Sequence, residues 1–153
     1  MESLERLLAE SPFFAGLDPE HLSVIVGCAA HVRFEPGEFL CREGEPADNF
    51  YLIRHGRVTL ELFVPQKGPV RLQTLDPGEV VGWSWLIEPY TWHFDARALE
   101  PVVAVQLDGT CLRNKCDADP RLGYEVLKRF ADIMEQRLHS ARLGLLDMYG
   151  VSA

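Results

Sequence analysis

Between Val32 and Leu107 the chain is cut into short segments of alternating polarity: Val32-Arg33-Phe34, Phe39-Leu40-Cys41, Phe50 to Arg54, Val58 to Val64, Val70 to Leu75, Ala96 to Leu99 and Val102 to Leu107. The cuts are tight-turn sequences, Glu35-Pro36-Gly37, Glu43-Gly44-Glu45-Pro46, His55-Gly56 and Asp76-Pro77-Gly78. Successive side chains of a strand point to opposite faces, so each alternating segment has one face to bury. With no helix between them to carry a parallel crossover, strands this short and this close pair antiparallel. Closing such a sheet gives a barrel or jelly roll. The expected class is therefore mainly β, an antiparallel β-roll with flanking helices. A chain of 153 residues is about one domain, with one core.

The flanks have a different period. Ser3 to Glu10 carries Leu4, Leu7 and Leu8 at helical spacing and stops at Ser11-Pro12, after which Phe13 and Phe14 offer an apolar anchor. Asp18 as N-cap and Pro19 as first residue predict a second short helix that buries Leu22, Ile25 and Val26. From Asp119-Pro120 to about Tyr149 the pattern is helical again. There Leu127, Phe130, Met134, Leu138, Ala141, Leu145 and Met148 advance by threes and fours, averaging 3.5 residues per step, which is a coiled-coil stripe. A helix this long outruns a domain of this size, so the stripe is expected to pair with a second copy as a homodimer; its first turns, around Leu122 and Val126, are expected to pack on the chain's own roll. The organisation is thus 1–28 as N-terminal helices, 29–109 as the roll and 110–150 as C-terminal helices, within one domain over 1–153.

The net charge of −8, with scattered basic residues, argues against nucleic acid as a partner, because duplex binding draws its affinity from clustered Lys and Arg on phosphates. No run is long and apolar enough to span a bilayer, and the acidic amphipathic opening lacks the form of an export signal, so a cytoplasmic protein with no membrane partner is expected. In that setting Cys28, Cys41, Cys111 and Cys116 are expected as reduced thiols. A metal is not: Cys111 and Cys116 have the only near-ligand spacing, and five residues along a helix separates them by about 140°. There is also no nucleophile elbow, P-loop, paired-histidine motif or glycine-rich dinucleotide fingerprint, so no enzyme is expected.

One stretch joins these parts, Leu75 to Leu99, reading LDPGEVVGWSWLIEPYTWHFDARAL. A tight turn at Asp76-Pro77-Gly78 leads to a short apolar run, Glu79 to Val81. Gly82 opens a compact turn, Trp83-Ser84-Trp85-Leu86, and an alternating strand, His93 to Leu99, closes the unit. In outline it resembles the phosphate-binding cassette of the cyclic-nucleotide-binding domain, whose pattern is F-G-E-x-x-L, a spacer, then P-R-x-A and a strand. The run SPFFAGLDPEHL and then RFEPGEFLCREGEPADNFYLIRHGRVTLEL likewise resembles the opening half of that domain in the catabolite-activator (Crp/Fnr-like) regulators. The likeness lies in the paired Phe, in Gly37 before a strand, in Gly44 six residues ahead of Phe50-Tyr51 and in Gly56 before Val58. It extends through ARALEPVVAVQL to the long helix.

The resemblance implies a β-roll, a sensory or regulatory role, a dimer helix and a ligand site at Gly82, Trp83, Ser84, Trp85, Leu86, Trp92, His93 and Phe94. In that family the helix continues through a hinge into a helix-turn-helix; here Leu145 to Gly150 closes the helix, and no DNA-reading domain is expected. The cassette chemistry departs from the pattern. Trp83 stands where the ribose glutamate is expected, Trp92 where the phosphate arginine is expected and Phe94 where alanine is expected, with Glu88 and Arg97 as the nearest replacements. Cyclic AMP and cyclic GMP are thereby disfavoured. Haem on His93 is disfavoured too, since one unpartnered histidine is more often structural. Two readings of Trp83, Trp85, Trp92 and Phe94 follow: an aromatic-lined site for a flatter or less polar ligand, or core in a structural or protein-interaction module with a filled pocket; a cyclic-nucleotide receptor of altered geometry is a third, less favoured reading.

Overall fold

The computed structural model describes residues 3–150; the ends of the anticipated 1–153 span lie outside the described residues. Two short helices, α1 (Leu4–Glu10) and α2 (Pro19–Val26), precede eight strands. The strands are β1 (Ala29–Phe34), β2 (Phe39–Cys41), β3 (Asn49–His55), β4 (Val58–Val64), β5 (Gly68–Leu75), β6 (Val80–Val81), β7 (Asp95–Ala98) and β8 (Val102–Asp108). Helices α3 (Gly109–Ala118) and α4 (Pro120–Met148) follow. The strands form two antiparallel four-stranded sheets, ordered β1-β8-β3-β6 and β2-β7-β4-β5, and this is the expected roll.

The caps explain where the helices start. Asp18 accepts from the Glu20 amide with Pro19 at the first position, and Asp119 accepts from the Arg121 and Leu122 amides ahead of α4. Asp108 does the same for Cys111 at α3.

Alternation along the first sheet divides the interior into two cores. Phe50, Leu52, Val80, Val105 and Leu107 face the helices, while Tyr51, Ile53, Val81, Val102 and Ala104 face into the roll. A sheet covered on both faces needs apolar residues at consecutive positions, which accounts for the unbroken run Phe50-Tyr51-Leu52-Ile53. On the helix side the centre is aromatic. Phe50 stacks on Trp85 with centroids 4.9 Å apart, and Phe130 of α4 meets both edge-on at 5.1 and 5.4 Å. Phe13 closes the group on Phe130 at 5.0 Å.

Two expectations are corrected here. Phe130 is fully buried against the roll, so it is no part of an exposed seam, and Met134 packs against the same core. The outward stripe instead passes through Ala131. Tyr124, Ala131, Leu138 and Leu145 form one seven-residue series and Leu127, Met134, Ala141 and Met148 the other, and apart from half-buried Met134 these residues are exposed. Cys28 and Cys111 form a disulfide, with Cα atoms 5.8 Å apart across 83 residues of chain, where free thiols were expected. Antiparallel pairing of β1 with β8, with Ala29 opposite Leu107 and the Asp108 amide donating to the Cys28 carbonyl, brings Cys28 beside the start of α3, a proximity that composition does not reveal. Cys41 and Cys116 are free.

Truncating Phe130 to Ala removes the ring that joins α4 to three other aromatic side chains, and a loss of about 3–5 kcal/mol is expected. Urea denaturation checks this, with Leu138→Ala, exposed on the opposite series, as the near-neutral comparison in single chains.

Candidate functional site

The cassette segment is held at both ends by backbone. Its first part leaves β6 at Gly82 and makes a compact turn in which the Leu86 amide donates to the Trp83 carbonyl at 3.0 Å and the Ile87 amide to Ser84 at 3.4 Å. Its far part lies against the turn before β3: the Trp92 amide donates to Glu45 at 3.0 Å, the Gly44 amide to Trp92 at 2.8 Å and the Ala47 amide to Tyr90 at 2.7 Å. The regular strand starts at Asp95, two residues after the expected His93, because Trp92 is already committed to these turn contacts.

The segment's aromatic residues do not share one site. Trp83, Trp85 and Leu86 belong to the helix-side core, with Trp85 wholly buried, whereas Trp92 and Phe94 belong to the roll interior. Ser84 is buried between them in sequence, and His93 is exposed on the outward-facing set with Asp95. The eight residues expected to line one ligand site are therefore divided over two cores and the surface, and only Trp92 and Phe94 project where the roll could enclose a ligand.

Trp92 is seated on glycine. Gly82 has φ +90°, a conformation glycine adopts freely, and a Cβ at this position would come within 2.1 and 2.4 Å of two Trp92 ring carbons. The benzo part of the ring thus packs directly against the backbone that opens the cassette, with Leu40, Leu60, Val81 and Ala96 in the same cluster. Phe94 stands beside it, centroids 5.8 Å apart. The Cys41 thiol also lies here, near the Phe94 carbonyl at 3.7 Å, and burial pushes its pKa far up, so it is a neutral group.

Neither replacement for the missing polar pair reaches the interior. Arg97 points outward and forms a two-pronged pair with Glu61, Nε to Oε1 at 3.2 Å and Nη2 to Oε2 at 2.8 Å, beneath which Glu61 is almost wholly buried. Glu88 is exposed in the loop. Asp95, also outward, accepts from the Glu43 amide at 2.8 Å and lies 3.6 Å from Arg42.

Two arginines that the sequence did not single out complete the surroundings. Arg113 of α3 donates to the Trp85 carbonyl and lies over the Tyr90 ring at 4.0 Å. Arg137 of α4 donates to the Val80 carbonyl and lies over Trp83 at 5.0 Å. Their distance along the chain hides them; the sequence placed both within the C-terminal helices but expected only the turns around Leu122 and Val126 to pack on the roll.

A β-roll closed by a long helix, with this segment at its corner, is the architecture of cyclic-nucleotide-binding regulatory domains. The family model for the cyclic nucleotide-binding domain matches residues 31–119, more than half of the chain, and the protein belongs to that family. A putative cyclic nucleotide-binding protein from Geobacter metallireducens is 34% identical, with a TM-score of 0.78 over 91% of this chain and 100% of that one. The CRP-like cAMP-activated global transcriptional regulator of Mycobacterium tuberculosis is 24% identical over 95% of this chain and 63% of its own length. The chain therefore spans under two thirds of that regulator. A segment of the acetyltransferase Pat of Mycolicibacterium smegmatis is 33% identical, over 63% of this chain and 28% of that protein. Among the described residues no helix is long and apolar enough to cross a membrane.

Gly82→Ala combines a left-handed backbone with a methyl group driven into the Trp92 ring, and a loss of about 2–4 kcal/mol is expected. Thermal unfolding measures it. Adding Trp92→Leu to Gly82→Ala should restore part of the loss, because the smaller side chain vacates the space above residue 82.

Proposed function

We propose that this chain is a non-enzymatic regulatory module of the cyclic-nucleotide-binding family that does not take cyclic AMP or cyclic GMP into its roll in the usual manner. The observation that carries this reading is Trp92 lying on Gly82 with Phe94 beside it, inside the roll. A cyclic phosphate needs a cation or an array of N–H donors, and a ribose hydroxyl needs an acceptor. Trp92 supplies at most one indole N–H and Trp83 no acceptor, while Arg97 is committed to Glu61 on the outer face. Losing one charged hydrogen-bond partner costs about 1.5–3 kcal/mol, so two losses weaken binding by about 10²- to 10⁴-fold before any steric conflict.

Calorimetry with cyclic AMP and cyclic GMP tests the reading: no heat of binding is expected at micromolar nucleotide, and saturable micromolar binding inside the roll overturns it. The double change Trp92→Arg and Phe94→Ala, at the two cassette positions that project into the roll, provides the converse, with nucleotide affinity expected to rise above that of the unaltered chain in a folded variant.

The same reading makes the module a homodimer through α4. The two seven-residue series on its outer face leave Leu127, Leu138 and Leu145 about half exposed, and a parallel partner helix would cover them. Light scattering at micromolar concentration should give the mass of two chains, and Leu138→Glu with Leu145→Glu the mass of one. Both residues are exposed, so the double change spares the core that Met134 contributes to.

A second reading, a protein-interaction module, has its own support in the outer sheet. Phe63 on β4 and Leu72 on β5 are 62% and 52% exposed, and Val70 on β5 is 38% exposed. Exposed large apolar side chains on this pair of strands are what a protein contact there would use.

A further inference from the structure

Between α4 and the roll runs a groove of about 770 Å³, lined on the helix by Arg129, Ile133, Gln136 and Arg137 and across from it by Phe13 and Val80. That is the size range of sites for small organic molecules. Three cations, Lys128, Arg129 and Arg137, and three carboxylates, Glu79, Glu125 and Asp132, line it, but they do not pair one to one. Arg129 donates to Glu125 at 2.9 Å and to the Ala15 carbonyl at 2.8 Å, and Lys128 pairs with Glu125 at 3.3 Å. Arg137 has no such partner: its Nη2 donates to the Val80 carbonyl, its Nη1 is buried without any hydrogen bond, and no carboxylate among the described residues lies within ion-pair distance of it. Burial pulls its pKa down to about 10, with Glu79 opposing, which leaves the guanidinium charged at neutral pH.

A half-buried cation with an unused donor and no direct ion-pair partner, Glu79 acting on it only from beyond contact, is costly unless something else supplies the anion. We propose that this groove binds a small organic anion, its carboxylate or phosphate on the Arg137 guanidinium and its apolar body against Phe13, Val80 and Ile133. Guanidinium presents a planar fork that fits either oxyanion. The site is distinct from the roll interior, and the proposal rests on the reading that the interior is occupied by Trp92. An occupant would touch α4, the segment after α1 and the strand that leads into Gly82, so binding would be felt by the helix that carries the exposed stripe.

The experiment titrates phenyl phosphate, phenylacetate and the uncharged 2-phenylethanol into the full chain, followed by calorimetry and by the fluorescence of Trp83 beneath Arg137. At least one anion should bind saturably, about tenfold or more tighter than the alcohol, and the better of the two names the oxyanion class. Arg137→Gln should weaken that anion about tenfold. Gln136→Glu, an exposed change that adds a repelling charge to the lining without removing the Val80 contact, should weaken it in the same direction and serves if Arg137→Gln fails to fold. Absence of saturation by both anions, equal binding of the alcohol, or wild-type affinity in Gln136→Glu overturns the proposal. Cyclic AMP is titrated separately: binding that survives the same variants lies in the roll and overturns the reading of the interior, whereas silence of the phenyl anions overturns only the groove assignment.

Discussion

The contact of Phe130 with Trp85, Phe50 and Phe13 sets the rotation of α4, and most of the molecule's surface character follows from that rotation. Once Phe130 is buried, Leu122 and Val126 must face inward with it, since they lie two turns and one turn earlier, respectively, on the same side. Arg137, two turns later on that side, is then carried over the roll to Val80 and Trp83. The series through Leu138 and Leu145 is left facing out. One aromatic cluster thus decides which residues of a 29-residue helix are core, which approach the cassette and which remain free to meet another helix.

The roll interior depends on a different fit, that of an indole ring against a residue with no side chain. In a family whose cassette encloses a charged ligand, the space beside this glycine would be expected to receive polar groups. Here it receives Trp92, and the interior closes as an apolar core with Phe94 at its edge. Polar groups nearby have been drawn outward instead, Arg97 to Glu61 and Asp95 to Arg42, because β7 alternates and only its even-numbered side chains point inward.

Cassette and helix are therefore joined by aromatic and cationic contacts. Trp85 carries the turn into the helix-side core, Arg113 clasps its carbonyl, and Arg137 lies over Trp83. Any shift of this turn must be accommodated by α3 and α4 together. The disulfide from Cys28 to Cys111 adds a covalent tie between the end of α2 and the start of α3, so the N-terminal helices are bound to the same layer. Closing a loop that long removes much of the unfolded chain's freedom, about 2–4 kcal/mol in typical cases.

Much of this was legible without coordinates. Two-residue alternation and glycine turns placed seven of the eight strands to within a few residues, with β6 read only as a short apolar run, Asp18-Pro19 and Asp119-Pro120 marked helix starts, and the cassette outline pointed to the family, because local backbone preference and burial period are written along the chain. What needed the tertiary structure was every feature set by residues far apart in sequence. Whether Phe130 belongs to the seam or the core differs by about 100° of helix rotation from Ala131, and the stripe's periodicity accepts either. The sorting of Trp83 and Trp85 to one core and Trp92 to the other, the seat of Trp92 on Gly82, the pairing of Cys28 with Cys111 and the arrival of Arg137 above Trp83 follow from packing two sheets and a helix layer. Periodicity records only that a side chain is buried; which partner buries it is decided when the layers meet.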